Sequence, residues 1–122
     1  MADILIIDDE DIVRHSIRTI LEYEGHTIRE STTGAEGLSL ARDQVPDLLI
    51  TDIFMPEKDG LEVIQELHLA TPTLKILAIT GGGATGGLDF LAQAKAFGAK
   101  ITLRKPFLRE ELLEAVGLAL SD

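Results

Sequence analysis

The chain has 122 residues, 45% of them hydrophobic, no cysteine and a formal net charge of −10 at pH 7. The length suits one domain, expected over residues 1–122, and the acidic balance argues against binding to nucleic acid or to an anionic membrane. The missing cysteines exclude disulfides and thiol chemistry. Because Asp3 interrupts the first apolar segment and no apolar run approaches the ~18 residues of a membrane span, we expect a cytoplasmic protein.

The apolar pattern predicts ten elements that alternate between strand and helix. Compact aliphatic runs are typical of strands buried on both faces, polar runs suit edge strands, and apolar residues three and four apart indicate helices. In chain order, the first half has a strand at 4–7, a helix with one apolar face, an edge strand at 26–29, a helix at 35–41 and a strand at 47–51. The face of that first helix consists of Ile12, Val13, Ser16, Ile17, Ile20 and Leu21. The second half has a helix on Leu61, Ile64 and Leu67 opened by a capping box at Asp59, a strand at 75–79, a helix from Leu88 to Phe97, an edge strand at 100–103 and a helix from Leu108 to Leu120.

Five strands in alternation with five helices predict an α/β protein with a parallel sheet and helices on both faces. Right-handed crossovers leave few topologies, of which we expect the flavodoxin-like, doubly wound order 2-1-3-4-5. Open parallel sheets of this kind build their sites at the carboxyl ends of the strands.

Polar residues follow four of the predicted strands. Asp8 and Asp9 end the first strand, Asp52 the third and Thr80 the fourth, and Lys105 follows the fifth. In the predicted order the first strand lies beside the third, so three carboxylates meet at one edge. Crowded carboxylates favour a cation, and Mg²⁺ binds carboxylate, water and phosphate oxygens. A carboxylate can also attack phosphorus to form an aspartyl phosphate, a transfer that needs mainly positioning and charge neutralisation.

Several segments resemble those of bacterial response-regulator receiver domains of the single-domain, chemotaxis-regulator type. The resemblance rests on ILIIDDE at 4–10, PDLLITDIFMP at 46–56 with Asp59-Gly60 after it, Thr80, Gly98-Ala99, and Lys105-Pro106-Phe107. Because these motifs extend from the first strand to the last helix, the likeness covers essentially the whole chain.

The resemblance implies a metal-dependent phosphorylation site. Asp52 would accept the phosphoryl group, and Mg²⁺ would be bound by Asp9 directly, by Asp8 largely through water, by Asp52 and by the backbone carbonyl of Phe54. The acids at 8–11 could alternatively serve only as a cluster at a helix N-terminus, where negative charge is favourable.

The resemblance also implies how the phosphoryl group is handled. Lys105 would pair with one phosphoryl oxygen and Thr80 would hydrogen-bond another, and the Lys105–Pro106 peptide bond is expected to be cis. The donor would be the phosphohistidine of a sensor histidine kinase or of a histidine phosphotransfer protein. Phosphorylation would control binding to a protein target, with no output domain and no enzymatic activity beyond the protein's own phosphorylation and dephosphorylation.

Two features depart from the family pattern. Thr102 stands where Tyr, Phe or His is usual, so we expect no aromatic ring to turn inward. The glycine-rich segment 81–87 lacks a Walker ending and is interpreted as a flexible loop, whose rearrangement we expect to carry the output.

Three other functions are alternatives to this interpretation. A pseudo-receiver that binds partners constitutively is the main alternative, and Thr102 keeps it open. An aspartyl-phosphate phosphohydrolase commonly has a carboxylate two residues after its nucleophile, where this chain has Phe54. A flavin carrier is disfavoured because the acids after the first strand would repel a flavin phosphate.

Overall fold

The computed structural model describes residues 1–54, 60–81 and 87–121, with 87–91 described by the backbone alone. Its elements are β1 (Asp3–Ile7), α1 (Asp11–Tyr23), β2 (Thr27–Ser31), α2 (Gly34–Asp43), β3 (Leu48–Asp52), α3 (Gly60–Ala70), β4 (Lys75–Thr80), α4 (Gly87–Phe97), β5 (Ile101–Arg104) and α5 (Arg109–Leu120). All strand pairs are parallel and the order is β2-β1-β3-β4-β5. The predicted fold and the two predicted edge strands are therefore confirmed.

Alternate residues of the central strands enter two separate apolar cores, one on each face of the sheet. Leu5, Leu49 and Ile76 pack with α2, α3 and α4 on one face. Ile4, Leu48 and Leu77 pack with α1 and α5 on the other. Burial on both faces explains why these strands appear in the sequence as uninterrupted aliphatic runs.

The predicted boundaries are close to the observed ones, with two informative differences. Helix α2 includes Gly34, because the Thr33 side chain accepts a hydrogen bond from the Glu36 N–H and caps the helix one residue earlier. The predicted apolar face of α1 is wrong at Ile12, which is 85% exposed, and at Ser16, which is also exposed. The first turn of α1 follows the carboxyl end of β1, and of the predicted face Ile17 and Leu21 are the residues that are fully buried.

Two other expectations fall on residues outside the described ranges. The capping residue Asp59 is one, and most of the glycine-rich segment, residues 82–86, is the other. Among the helices described, none is long and apolar enough to cross a membrane.

Candidate functional site

The predicted site residues converge at the carboxyl edge of the sheet. Asp8 directly follows β1, Asp52 is the last residue of β3, and Thr80 is the last residue of the adjacent β4. Lys105 directly follows β5, and its backbone N–H donates to the Thr80 carbonyl at 2.7 Å. The Lys105–Pro106 peptide bond is cis, as expected.

The Lys105 ammonium group joins three carboxylates. Its Nζ atom lies 3.1 Å from Asp52 Oδ2, 3.2 Å from Asp8 Oδ2 and 2.9 Å from Glu10 Oε1. The side chains of Asp8 and Asp52 are 2% and 4% exposed, whereas that of Glu10 is 61% exposed. Two of the three ion pairs are therefore withdrawn from water, where charge interactions are least screened.

Backbone contacts fix the end of β3 around Asp52. The Ile53 N–H donates to the Ile79 carbonyl at 2.9 Å, and the Phe54 N–H donates to Asp52 Oδ1 at 3.3 Å. Gly60, which begins α3, lies so close that a Cβ atom there would be 1.9 Å from the Asp52 carbonyl oxygen. Only a residue without a side chain fits against this turn.

Burial dominates the protonation of the two acids in the pocket. It raises the pKa of Asp52 to about 6, against the opposing charge of Lys105 and together with the charge of Asp8. Burial likewise raises the pKa of Asp8, against the hydrogen bond from the Glu10 N–H and the charge of Lys105. Both carboxylates thus ionise less readily than in water.

The lysine shows the opposite response. Burial lowers the pKa of Lys105, but the hydrogen bond with Glu10 and the charges of Asp52 and Asp8 outweigh it, so the pKa lies above its usual value. The ammonium group is consequently a fixed positive charge at neutral pH.

Two buried polar atoms in the pocket have unused hydrogen-bonding capacity within the described part of the chain. The Thr80 hydroxyl is fully buried and has no partner there. Asp8 Oδ2 lies within ion-pair distance of Lys105 but makes no hydrogen bond. Unsatisfied buried polar atoms are costly and are typical of sites that bind an additional group.

The pocket has the ligand set of a hard cation. Side-chain oxygens of Asp8, Glu10 and Asp52 lie within 4.8 Å of one another, and oxygen-only groups of this kind suit Mg²⁺. Asp9, the predicted direct ligand, is exposed and lies outside this group. Its role, and that of the Phe54 carbonyl, stay predictions.

The sequence does not assign Glu10 to the site and indicates only that it belongs to an acidic cluster before α1. The structure makes it the N-cap residue of α1, with no side-chain capping bond, and turns its carboxylate to Lys105. The spacing contains a signal for this placement: in extended backbone, side chains two residues apart point to the same side, and Glu10 is two residues after Asp8.

Comparisons with known proteins identify the family of the chain. The response regulator receiver domain family model matches residues 4–117. The response regulator MprA of Mycobacterium ulcerans is 38% identical over 114 residues, covering 90% of this chain and 46% of that protein. The putative positive transcription regulator BvgA of Bordetella pertussis is 42% identical over 79 residues, covering 64% of this chain and 38% of that protein. The chain thus spans less than half the length of these two relatives.

Two solved structures match over nearly their full length. The receiver domain of NtrX from Brucella abortus superposes with a TM-score of 0.90 at 31% identity, covering 97% of this chain and 98% of that one. A putative response regulator from Chloroflexus aurantiacus gives 0.91 at 29% identity, with 99% and 98% covered. Since the family model covers nearly the whole chain and the fold is that of the matching receiver domains, this chain belongs to the response regulator receiver domain family of two-component signalling.

Proposed function

We propose that Asp52 accepts a phosphoryl group from the phosphohistidine of a sensor histidine kinase or of a histidine phosphotransfer protein. The observation that carries this proposal is the buried Asp52 carboxylate at the end of β3, with the Lys105 ammonium group 3.1 Å away. A carboxylate in this setting is a competent nucleophile toward phosphorus, and a fixed cation beside it can neutralise the charge of the incoming group.

The transfer uses the pocket in a simple way. One Asp52 carboxylate oxygen forms a bond to phosphorus while the bond from phosphorus to the histidine nitrogen breaks, and the nitrogen keeps the electron pair. With a pKa of about 6, Asp52 is mostly ionised at pH 7 and above, as a nucleophile must be. Lys105 pairs with one phosphoryl oxygen, and the Thr80 hydroxyl, which has no partner in the described part of the chain, donates to another.

Mg²⁺ fits the charge of this pocket. The pocket contains three carboxylates, those of Asp8, Glu10 and Asp52, and one ammonium group, that of Lys105. Two negative charges are therefore unbalanced, and a divalent cation would balance them. In this proposal Asp8, Asp9, Asp52 and the Phe54 carbonyl hold the ion. When bound, Mg²⁺ supplies neutralisation of the negative phosphoryl oxygens.

The output of the switch follows from the same contacts. Movement of Thr80 and Lys105 toward a phosphoryl group would shift β4 and β5, and so favour one of two arrangements of the surface formed by α4 and β5. A protein target that prefers one arrangement would read the signal. The expectations that the switch has no output domain and contacts no nucleic acid stay predictions.

Phosphorylation by a small donor tests the proposal. The protein is incubated with acetyl phosphate in Mg²⁺ or in EDTA, and the modified residue is located by mass spectrometry. We expect a single phosphoryl group on Asp52, formed only with Mg²⁺ and lost in Asp52→Asn, because an amide is not a phosphoryl nucleophile. Asp43→Asn, which removes an exposed carboxylate on α2, is the matched control and should be labelled normally.

Two results would reject the assignment. Labelling of Asp52→Asn at another single residue would move the acceptor elsewhere. No labelling of the wild-type protein by acetyl phosphate or by a phosphorylated histidine donor would favour the constitutive pseudo-receiver.

A further inference from the structure

We propose that Arg14 is a positioning residue for the acidic loop, defined here as residues 8–11, and that it sets the affinity of this loop for Mg²⁺. The inference rests on the proposed function, since it assigns a role toward the same metal. It is carried by one side chain, on α1, that contacts the loop at two points and β2 at a third.

The Arg14 guanidinium group donates to three acceptors. Its Nη1 donates to the Asp8 carbonyl at 2.8 Å, its Nη2 to Asp11 Oδ1 at 2.6 Å and its Nε to Glu30 Oε1 at 2.8 Å. The side chain is only 13% exposed. A rigid planar fork that meets three acceptors at once constrains their relative positions more strongly than a single contact does.

The contact with the Asp8 carbonyl is the one that reaches the pocket. The Asp8 N–H donates to the Ser31 carbonyl at 3.1 Å, so Asp8 is held on both sides of its Cα atom, by β2 and by Arg14. The carbonyl held by Arg14 belongs to the peptide that joins Asp8 to Asp9. Arg14 therefore orients the peptide from which both proposed metal-binding side chains extend.

A neighbouring arginine provides a matched comparison. Arg18 lies one turn along α1 and donates to the other carboxylate oxygen of Glu30. It also pairs with Glu22. None of its hydrogen bonds within the described residues reaches the acidic loop. Replacement of either arginine by glutamine removes one positive charge beside the same Glu30, but only the change at Arg14 frees the Asp8 carbonyl.

Charge and positioning predict effects of opposite sign. Removal of a positive charge near the acidic pocket should by itself favour a cation, and this applies to both arginines. Loss of positioning should weaken binding, as is usual when a group that orients metal ligands is removed. A weaker affinity in Arg14→Gln thus has no simple electrostatic explanation.

The test is a Mg²⁺ titration of the full chain by isothermal calorimetry, with folding checked by circular dichroism in EDTA. We expect Arg14→Gln to raise the Kd for Mg²⁺ about tenfold, and Arg18→Gln to leave it unchanged or slightly lower. Arg14→Lys, which keeps the charge but not the fork, should also bind Mg²⁺ more weakly than wild type. With acetyl phosphate, the Arg14→Gln defect should lie in the Mg²⁺ concentration needed for half-maximal labelling and fade at saturating Mg²⁺.

Equal Mg²⁺ affinities in Arg14→Gln and Arg18→Gln would overturn the inference. If Arg14→Gln does not fold, Arg14→Lys decides, and a wild-type Kd in that variant would overturn it. Failure of the proposed function gives a different result, namely that the wild-type protein is not labelled at Asp52, whatever the titrations show.

Discussion

We expect the acidic pocket to destabilise the fold when no metal is bound. Asp52 is buried and lies beside Asp8, so folding carries an ionised carboxylate into a place where ionisation is unfavourable. Asp52→Asn keeps the shape and removes the charge. We expect this variant to be more stable than wild type in EDTA near neutral pH.

The magnitude follows from the rise of the Asp52 pKa from its ordinary value of 3.8 to about 6. A rise of this size lowers the unfolding free energy by ~3 kcal/mol at neutral pH. This figure already contains the loss of the favourable Lys105 interaction, because that charge opposes the rise in the pKa of Asp52. An amide reproduces the hydrogen bonds of a protonated acid only in part, which lowers the expected gain. We therefore expect a net stabilisation of about 1–3 kcal/mol.

The dependence on pH distinguishes this cause from better packing. Because the pKa of Asp52 is higher in the folded state, the native protein holds this proton more tightly. The penalty is complete above about pH 6 and disappears as the pH falls toward 3.8, where the acid is protonated in both states. The advantage of Asp52→Asn should shrink over the same interval.

Urea unfolding in EDTA, at steps from about pH 7.5 to about pH 4.5, measures this advantage directly. Asp43→Asn, on the exposed surface of α2, controls for the loss of one negative charge from an acidic protein. A stabilisation that is constant with pH, or equal in the two variants, would refute the reasoning.

Two further predictions concern Gly60 and Glu10. Gly60→Ala should slow Asp52 labelling and destabilise the protein by about 1–3 kcal/mol, because the new methyl group would overlap the Asp52 carbonyl oxygen. Gly117→Ala is the control, since nothing lies within 4 Å of a Cβ atom at that position. Equal urea midpoints for the two variants would contradict this prediction. Glu10→Gln should speed labelling by acetyl phosphate at saturating Mg²⁺ by up to about fivefold. The reason is that the change frees Lys105 from an exposed ion pair worth at most ~1 kcal/mol. Slower labelling would contradict this and would mean that the Glu10 carboxylate takes part in the transfer to Asp52.

The fold was predictable because its signal is repeated along the chain. β1, β3 and β4 are buried on both faces and therefore appear as aliphatic runs, while the more polar β2 and β5 occupy the edges. Right-handed crossovers then leave few strand orders, and the expected one brings Asp8, Asp52 and Lys105 together. For these three residues, the position at a strand end is enough to predict that they share one site.

The side-chain arrangement of the acidic loop was less predictable. Four acids follow β1 in succession, and the sequence does not determine which of them turn inward once the strand has ended. Asp8 and Glu10 reach Lys105, whereas Asp9 is exposed. The orientation depends in part on Arg14, whose partner Glu30 lies in β2, 16 residues away along the chain. No local pattern contains such a contact.

The unequal exposure of the three carboxylates suggests how the pocket changes partners without leaving a buried charge unpaired. In the proposed function Lys105 turns toward phosphoryl oxygens when Asp52 is modified, and this movement would release one of its contacts. Glu10 can return to water at little cost because it is already 61% exposed, whereas the 2% exposed Asp8 cannot. The buried Thr80 hydroxyl has no partner to release within the described structure. Phosphorylation would then give buried polar groups hydrogen-bond partners without leaving any of them unsatisfied, which favours the phosphorylated state of the pocket.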